Sequence, residues 1–142
     1  RVDPPERVVP WAMVSYERFA MLAEDPERSE ASGVVMREAL ELFPAPVPDP
    51  PWAHEVDLCR HAMPDELPPG YGHGLIFLAP VIEMPRYLPW LRAEAEAAGV
   101  EVVLRHLDSP APALAAADTV VNTTGLGARE LVGDHELYAV RG

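Results

Sequence analysis

The segment of residues 118–129 constrains the fold more than any other part of the chain. It reads Asp-Thr-Val-Val-Asn-Thr-Thr-Gly-Leu-Gly-Ala-Arg. Its β-branched start shows no polar alternation, which predicts a strand buried on both faces. A turn rich in hydroxyls and glycines follows, and a helix can begin at Ala128. Because α/β folds bind ligands beyond the carboxyl ends of such strands, the turn is either a plain strand-to-helix connection or part of a ligand site.

The composition is that of an acidic, globular chain. The 142 residues are 49% apolar and 24% charged, and the formal net charge is −12. This charge argues against nucleic acid or an anionic membrane as a partner. The single cysteine, Cys59, cannot form an internal disulfide, which favours a reducing compartment such as the cytoplasm. No apolar run has the length needed to span a membrane.

Both ends of the sequence suggest a piece of a longer protein. The chain starts at Arg1 rather than at a methionine, and it stops at Gly142 without a capping element. We therefore expect a fragment with room for one core.

The first half of the chain is interrupted by prolines and predicts short elements of mixed type. A helix is predicted over residues 11–23, because its apolar residues recur at helical spacing. Residues 27–32 read as a charged loop. Strands are predicted over 33–43, over 56–60 and over a segment that ends near Ile82. This half, residues 1–84, is therefore typical of an antiparallel α+β unit.

The second half predicts alternating helices and strands. Residues 84–99 form the clearest helix, with one apolar face and a terminating glycine. Strands are predicted over 100–107 and 118–122, with a short helical turn over 113–117 between them. The segment 85–130 thus reads as part of a parallel α/β sheet. After residue 131 we expect mostly turns, with a short extended piece over 137–140.

Three common catalytic or binding motifs fail on inspection. The glycines of residues 70–74 lack the spacing and the preceding strand of a dinucleotide fingerprint. The spacing of His54, Cys59 and His61 matches no common metal site. No Gly-x-Ser-x-Gly elbow is present. We therefore nominate no catalytic residue and no metal ligand.

Four segments together carry a resemblance to a known family. They are residues 85–91 (Pro-Arg-Tyr-Leu-Pro-Trp-Leu), 99–101 (Gly-Val-Glu), 120–128 (Val-Val-Asn-Thr-Thr-Gly-Leu-Gly-Ala) and the tail 134–142. With these segments the chain resembles the D-amino-acid oxidase family of flavoenzymes, and the similarity runs nearly end to end.

The resemblance implies an α/β fold with an α+β part. It implies a piece of a Rossmann-like, FAD-binding parallel sheet together with part of a mixed or antiparallel substrate-domain sheet. Residues 1–84 would belong to the substrate-binding domain, residues 85–130 to the FAD-binding domain, and residues 131–142 to the start of the return to the substrate domain. Residues 101–107 and 118–122 would be parallel strands about 14 Å apart, separated by three steps of roughly 4.8 Å.

The resemblance also implies the chemistry. FAD would accept a hydride from Cα of a D-amino acid, oxygen would reoxidise it to give hydrogen peroxide, and the imino acid would hydrolyse to a keto acid and ammonia. The small-molecule partners are then a D-amino acid and oxygen, and a homodimer is compatible with the family.

The residues that the family's motifs place beside the cofactor are few. By position they are Arg105, His106, Leu107, Thr123, Thr124 and Gly125. A solvated strand end is an equally good interpretation of the first two. The glycine-rich phosphate cradle would lie before Arg1, and the residues that hold the substrate carboxylate would lie after Gly142. No catalytic residue of the family is expected within this chain.

Two alternative functions remain open at this point. Within the same enzyme class, the chain could come from a D-aspartate oxidase or from a glycine or sarcosine oxidase. In a different class, it could be a small acidic binding module without a cofactor, which the proline-rich first half would suit.

Overall fold

The computed structural model describes residues 5–139, which form two compact units divided between Val100 and Glu101. The helices and strands of the first unit are α1 (Val8–Glu24), α2 (Pro26–Ser32), β1 (Val34–Phe43), β2 (Arg60–His61), β3 (His73–Ile82) and α3 (Met84–Ala97). The second unit contains α4 (Ala111–Leu114) and α5 (Ala128–Leu131). Short 3-10 helices cover Pro5–Arg7, Pro64–Glu66 and Gly125–Gly127.

The first unit is built on a three-stranded antiparallel sheet in the order β1–β3–β2. β1 and β3 pair along their whole length, from Val34 opposite Ile82 to Phe43 opposite His73. The strands predicted over 33–43 and up to Ile82 are therefore confirmed. The strand predicted over 56–60 is wrong except at its last residue, because Leu58 has a φ of 58°, which an extended strand does not permit.

The core of this unit lies where α1 packs on the sheet. Leu22 of α1 and Val34 of β1 are 1% and 0% exposed, and Leu75 and Ile76 of β3 are also buried. The helix predicted over 11–23 is confirmed as the central part of α1. The helix predicted over 84–99 is confirmed as α3.

The charged loop predicted over residues 27–32 is wrong, because this segment forms α2. The Asp25 carboxylate accepts hydrogen bonds from the backbone N–H groups of Glu27 and Arg28, at 3.0 and 3.2 Å. Pro26 occupies the first turn, where its missing N–H costs nothing. Gly33 ends the helix with a left-handed φ of 68°. A complete set of start and stop signals thus outweighs the charged composition between them.

The outer edge of β3 is protected against further strand pairing. β2 is two residues long, so β3 has a free edge beyond Ile76. At that edge the Leu78 N–H donates to the Asp57 carbonyl at 3.0 Å, and the Leu78 carbonyl accepts from the Tyr16 hydroxyl at 3.2 Å. The next residue with the same orientation is Pro80, which has no N–H to offer.

A bidentate ion pair holds the segment that follows β2. The Arg60 guanidinium contacts the two Glu66 carboxylate oxygens at 2.7 and 2.8 Å, and the Met63 N–H donates to the same carboxylate. The Arg60 hydrogen bonds, followed by the one from Met63, lower the pKa of Glu66 from 4.5 to about 2. Because the folded-state pKa is depressed, this carboxylate stabilises the fold above pH 4.5.

We expect that stabilisation to be lost as the pH falls from 4.5 to about 2. Replacing Glu66 by Gln should therefore flatten the pH dependence of the unfolding free energy in this window, as measured by urea titration at several pH values. Asp65→Asn, at the exposed neighbouring position, is the matched control and should leave the dependence in place. An unchanged slope in the Glu66→Gln variant would contradict the assignment.

The second unit differs most from the sequence-based prediction. Neither residues 100–107 nor residues 118–122 form a strand, and no backbone ladder joins them, so no parallel sheet is present among residues 101–139. Apolar side chains of both segments are exposed, including Val103 (65%), Leu104 (103%) and Val121 (79%). A β-strand exists only when a neighbour satisfies its backbone N–H and C=O groups, and among the described residues no backbone hydrogen bond reaches 101–107 or 118–122.

The helical parts of the second unit agree better with the prediction. The helical turn predicted over 113–117 is confirmed only at residues 113 and 114, because α4 ends at Leu114, and the helix predicted to begin at Ala128 is confirmed as α5. The extended piece predicted over 137–140 does not form a strand over Leu137–Ala139, and Val140 lies outside the described residues.

Candidate cofactor-binding site

A pocket of about 350 Å³ lies in the second unit, between the segment 105–108 and the region that runs from Thr124 into α5. Its lining residues are Arg105, His106, Leu107, Asp108, Thr124, Gly127, Glu130 and Leu131. The volume is near the lower end of the range of about 300–1,000 Å³ for small-molecule pockets. The pocket can therefore enclose part of a large cofactor, but not all of it.

The pocket brings together most of the residues that the family motifs nominate. Arg105, His106, Leu107 and Thr124 all line it, although they come from two segments separated by more than a dozen residues. Thr123 and Gly125 are not among the lining residues, and they flank Thr124 in the chain. The predicted strand end and the predicted turn thus meet, even though the strands themselves do not form.

The turn at Thr124 is held by a residue that the sequence analysis did not nominate. The Asn122 side-chain oxygen accepts hydrogen bonds from the Thr124 N–H at 3.2 Å and from the Thr124 hydroxyl at 2.8 Å. The Thr124 carbonyl in turn accepts from the Gly127 N–H at 3.2 Å. Asn is a common turn residue because its side chain can accept from the backbone N–H two residues later, so this role was readable from the sequence.

Gly125 follows the turn in a conformation that favours glycine. Its φ is 57°, in the left-handed region. A side chain built at this position would meet no atom of the described chain within 4 Å. Packing within the second unit would therefore allow a side chain at position 125. The left-handed backbone conformation is what favours glycine there.

The charges around the pocket favour a neutral ligand group. Asp108 and Glu130 set two carboxylates against the guanidinium of Arg105. His106 Nε2 lies 3.1 Å from Asp108 Oδ1, but both side chains are almost fully exposed, so this pair contributes little. Two carboxylates would repel a diphosphate, whereas carboxylates are common partners of ribose hydroxyls. The pocket therefore fits a ring and a sugar better than a phosphate.

Comparison with known proteins gives relatives along the whole chain. No protein-family model matches the sequence. A D-amino-acid oxidase of Rubrobacter xylanophilus is 41% identical over 143 residues, which cover 100% of this chain and 43% of the relative. A D-amino-acid oxidase of Dictyostelium discoideum is 33% identical over 99% of the chain, and the D-aspartate oxidase of Homo sapiens is 31% identical over 93% of it. The predicted resemblance to the D-amino-acid oxidases is confirmed.

The chain spans about two fifths of the length of the D-amino-acid oxidases that it matches. Residues 105–108, Thr124 and α5 lie within the part of this chain that the similarity covers. The similarity also includes the first unit, with its antiparallel sheet.

The three residues considered as metal ligands, His54, Cys59 and His61, line one small cavity together with Asp49. His61 Nε2 lies 3.3 Å from Asp49 Oδ1, and Cys59 lines the same small cavity as His54 and His61. Burial, and after it the charge of Asp49, raises the pKa of the Cys59 thiol, which favours the neutral form. Among residues 5–139 no three His, Cys, Asp or Glu side chains are arranged to hold a metal ion.

None of the helices over the described range is both long enough and apolar enough to cross a membrane.

Proposed function

We propose that this chain is part of an FAD-dependent oxidase that deaminates D-amino acids to keto acids, with release of ammonia and hydrogen peroxide. The observation that carries the proposal is the 41% identity to a D-amino-acid oxidase over the whole chain. The convergence of Arg105, His106, Leu107 and Thr124 on one pocket supports it. Neither this identity nor this shared pocket is expected of a small acidic binding module without a cofactor.

The pocket residues are suited to the adenosine half of FAD. The backbone of Leu107 can bond to the adenine edge, and Asp108 or Glu130 can accept from ribose hydroxyls. Thr124 lines the same pocket, and its hydroxyl oxygen can still accept a hydrogen bond because its hydrogen is donated to Asn122. The diphosphate would be bound elsewhere in the full-length protein, at a glycine-rich turn. When bound, FAD supplies the acceptor for the hydride from Cα of the D-amino acid.

The domain division predicted from the sequence remains part of the proposal. Residues 1–84 are assigned to the substrate-binding domain, residues 85–130 to the FAD-binding domain, and residues 131–142 to the return between them. We further propose that residues 101–107 and 118–122 become strands of a parallel sheet in the full-length protein. The exposure of Val103, Leu104 and Val121 supports this, because β-branched and leucine side chains in adjacent positions are typical of buried strands.

D-Aspartate is the second candidate substrate, because the human relative at 31% identity is a D-aspartate oxidase. The two candidates are distinguished by measuring hydrogen peroxide release by the full-length protein with D-alanine and with D-aspartate. Preferential turnover of D-alanine supports the main proposal, and preferential turnover of D-aspartate supports the alternative. Turnover of neither by a protein that has bound FAD would overturn both.

The 142-residue chain by itself is expected not to retain FAD. Its pocket can take only part of the cofactor, and two of the lining residues are carboxylates. The test is to mix the purified chain with FAD, remove free FAD by gel filtration, and record flavin absorbance in the protein fraction. The full-length protein, treated identically, is the control and should emerge yellow. Flavin eluting with the 142-residue chain would contradict this expectation.

The homodimer and the cytoplasmic location remain predictions for the full-length protein. Sedimentation at two concentrations tests the first. Fractionation of the source cells tests the second.

A further inference from the structure

The first unit contains an apolar groove that the proposed oxidase function does not use. It has a volume of about 350 Å³ and runs along the free edge of β3, between α1 and the turns around Trp52. Met13, Tyr16 and Phe19 of α1 form one wall, Trp52 forms the other, and Phe77 lies at the base. Strand pairing does not fill this space, because β2 ends before it and Pro80 blocks the edge.

The walls of the groove suit a flat ring. The Trp52 and Phe77 rings meet edge to face, with centroids 4.9 Å apart and planes at 61°. This arrangement leaves aromatic surface for a further ring, since aromatic groups favour offset or edge-on contact with one another. No charged side chain lines the groove. A zwitterionic amino acid would therefore lose its hydration there without compensation, so the groove is not a site for the proposed substrate.

The hydrogen-bonding state of Tyr16 restricts the ligand further. A phenolic hydroxyl has one hydrogen, and Tyr16 donates it to the Leu78 carbonyl at 3.2 Å. The Ser15 hydroxyl likewise donates to the Trp11 carbonyl, at 3.4 Å. Both hydroxyl groups can therefore only accept from a ligand. A ligand that carries a hydrogen-bond donor is favoured over one that carries only acceptors.

We propose that this groove binds an uncharged, flat aromatic compound with a single N–H or O–H donor, of the indole or phenol class. The ring lies against Trp52 and Phe77, and the donor bonds to the Tyr16 hydroxyl oxygen. The overall charge of −12 fits a neutral ligand better than an anionic one.

The decisive experiment compares how tightly two isomers bind to the 142-residue chain. Binding is followed by calorimetry or by the NMR signal of the Trp52 side-chain N–H. 3-Methylindole keeps its N–H, whereas 1-methylindole has the same size and no donor. We expect 3-methylindole to bind about fivefold to tenfold more tightly, the effect of one hydrogen bond. The Tyr16→Phe variant should bind both isomers with equal affinity, because it keeps the ring and removes the acceptor.

A second pair of variants tests the location without touching Tyr16. Ala12→Leu places a larger side chain in the groove and should weaken binding of both isomers at least about tenfold, since leucine occupies the ligand's space. Ala93→Leu, at an exposed position of α3, is the matched control and should bind as the unaltered chain does. The proposal is overturned by absence of 3-methylindole binding, by equal affinity for the isomers, or by Ala12→Leu binding normally.

Discussion

Gly125→Val in the full-length protein is expected to weaken FAD binding by roughly tenfold to a hundredfold. Gly125 follows the Thr124 turn, and the space beside its Cα is open within the described chain. If the cofactor lies in that space, a valine side chain would overpack it, at a cost of about 1–3 kcal/mol, where each 1.4 kcal/mol is about tenfold in affinity. The dissociation constant is measured by quenching of flavin fluorescence on addition of the apoprotein.

Gly133 provides the matched control for this substitution. It also has a positive φ, of 69°, and no atom lies within 4 Å of a side chain built there. Both valine variants should therefore lose stability by about 1–2 kcal/mol from left-handed backbone strain alone. Only the Gly125 variant should lose FAD affinity. Equal FAD affinity in the two variants would mean that the glycine serves backbone conformation only.

Leu22→Ala is expected to destabilise the first unit by about 2–5 kcal/mol, because it removes a fully buried side chain and leaves a cavity. The free energy of unfolding is measured by urea titration followed by circular dichroism. Met21→Ala is the control on the same helix, since Met21 is 56% exposed, and should cost less than about 1 kcal/mol. Similar costs for both variants would show that α1 is not packed on the sheet as described.

The sequence predicts an element correctly where the chain contains either the residues that start and end that element or the strand with which it pairs. β1 and β3 are predicted by apolar runs, and each pairs with the other. α3 is predicted by its apolar face and by Gly99 at its end. The failure at α2 has a different cause, because charged side chains were given more weight than the Asp25 cap and the Gly33 stop.

The failure in the second unit has a physical origin. Residues 101–107 and 118–122 have the composition of buried strands, but composition cannot supply a neighbour for their backbone groups. Four of the six nominated residues line one pocket although the sheet around them does not form, and their binding of a cofactor stays a prediction. Arg105 to Leu107 and Thr124 line the same pocket, and Asn122 fixes the turn at Thr124 by local hydrogen bonds. Asp108 and Glu130 were not predicted to line the pocket, because nothing in the sequence distinguishes a single carboxylate in a pocket from one on the surface.

The two units differ in how their unpaired backbone is protected against further strand pairing. This difference matters when the 142-residue chain is purified. The free edge of β3 carries Pro80, whose ring stops another polypeptide from adding as a strand. The segment 100–104 carries no such gatekeeper, and its valines and Leu104 are exposed. Short, β-branched, weakly charged segments of this kind are those from which fibrils grow. Preparations of the 142-residue chain should therefore aggregate through residues 100–104, and a proline at Val103 should slow the process, as followed by thioflavin fluorescence.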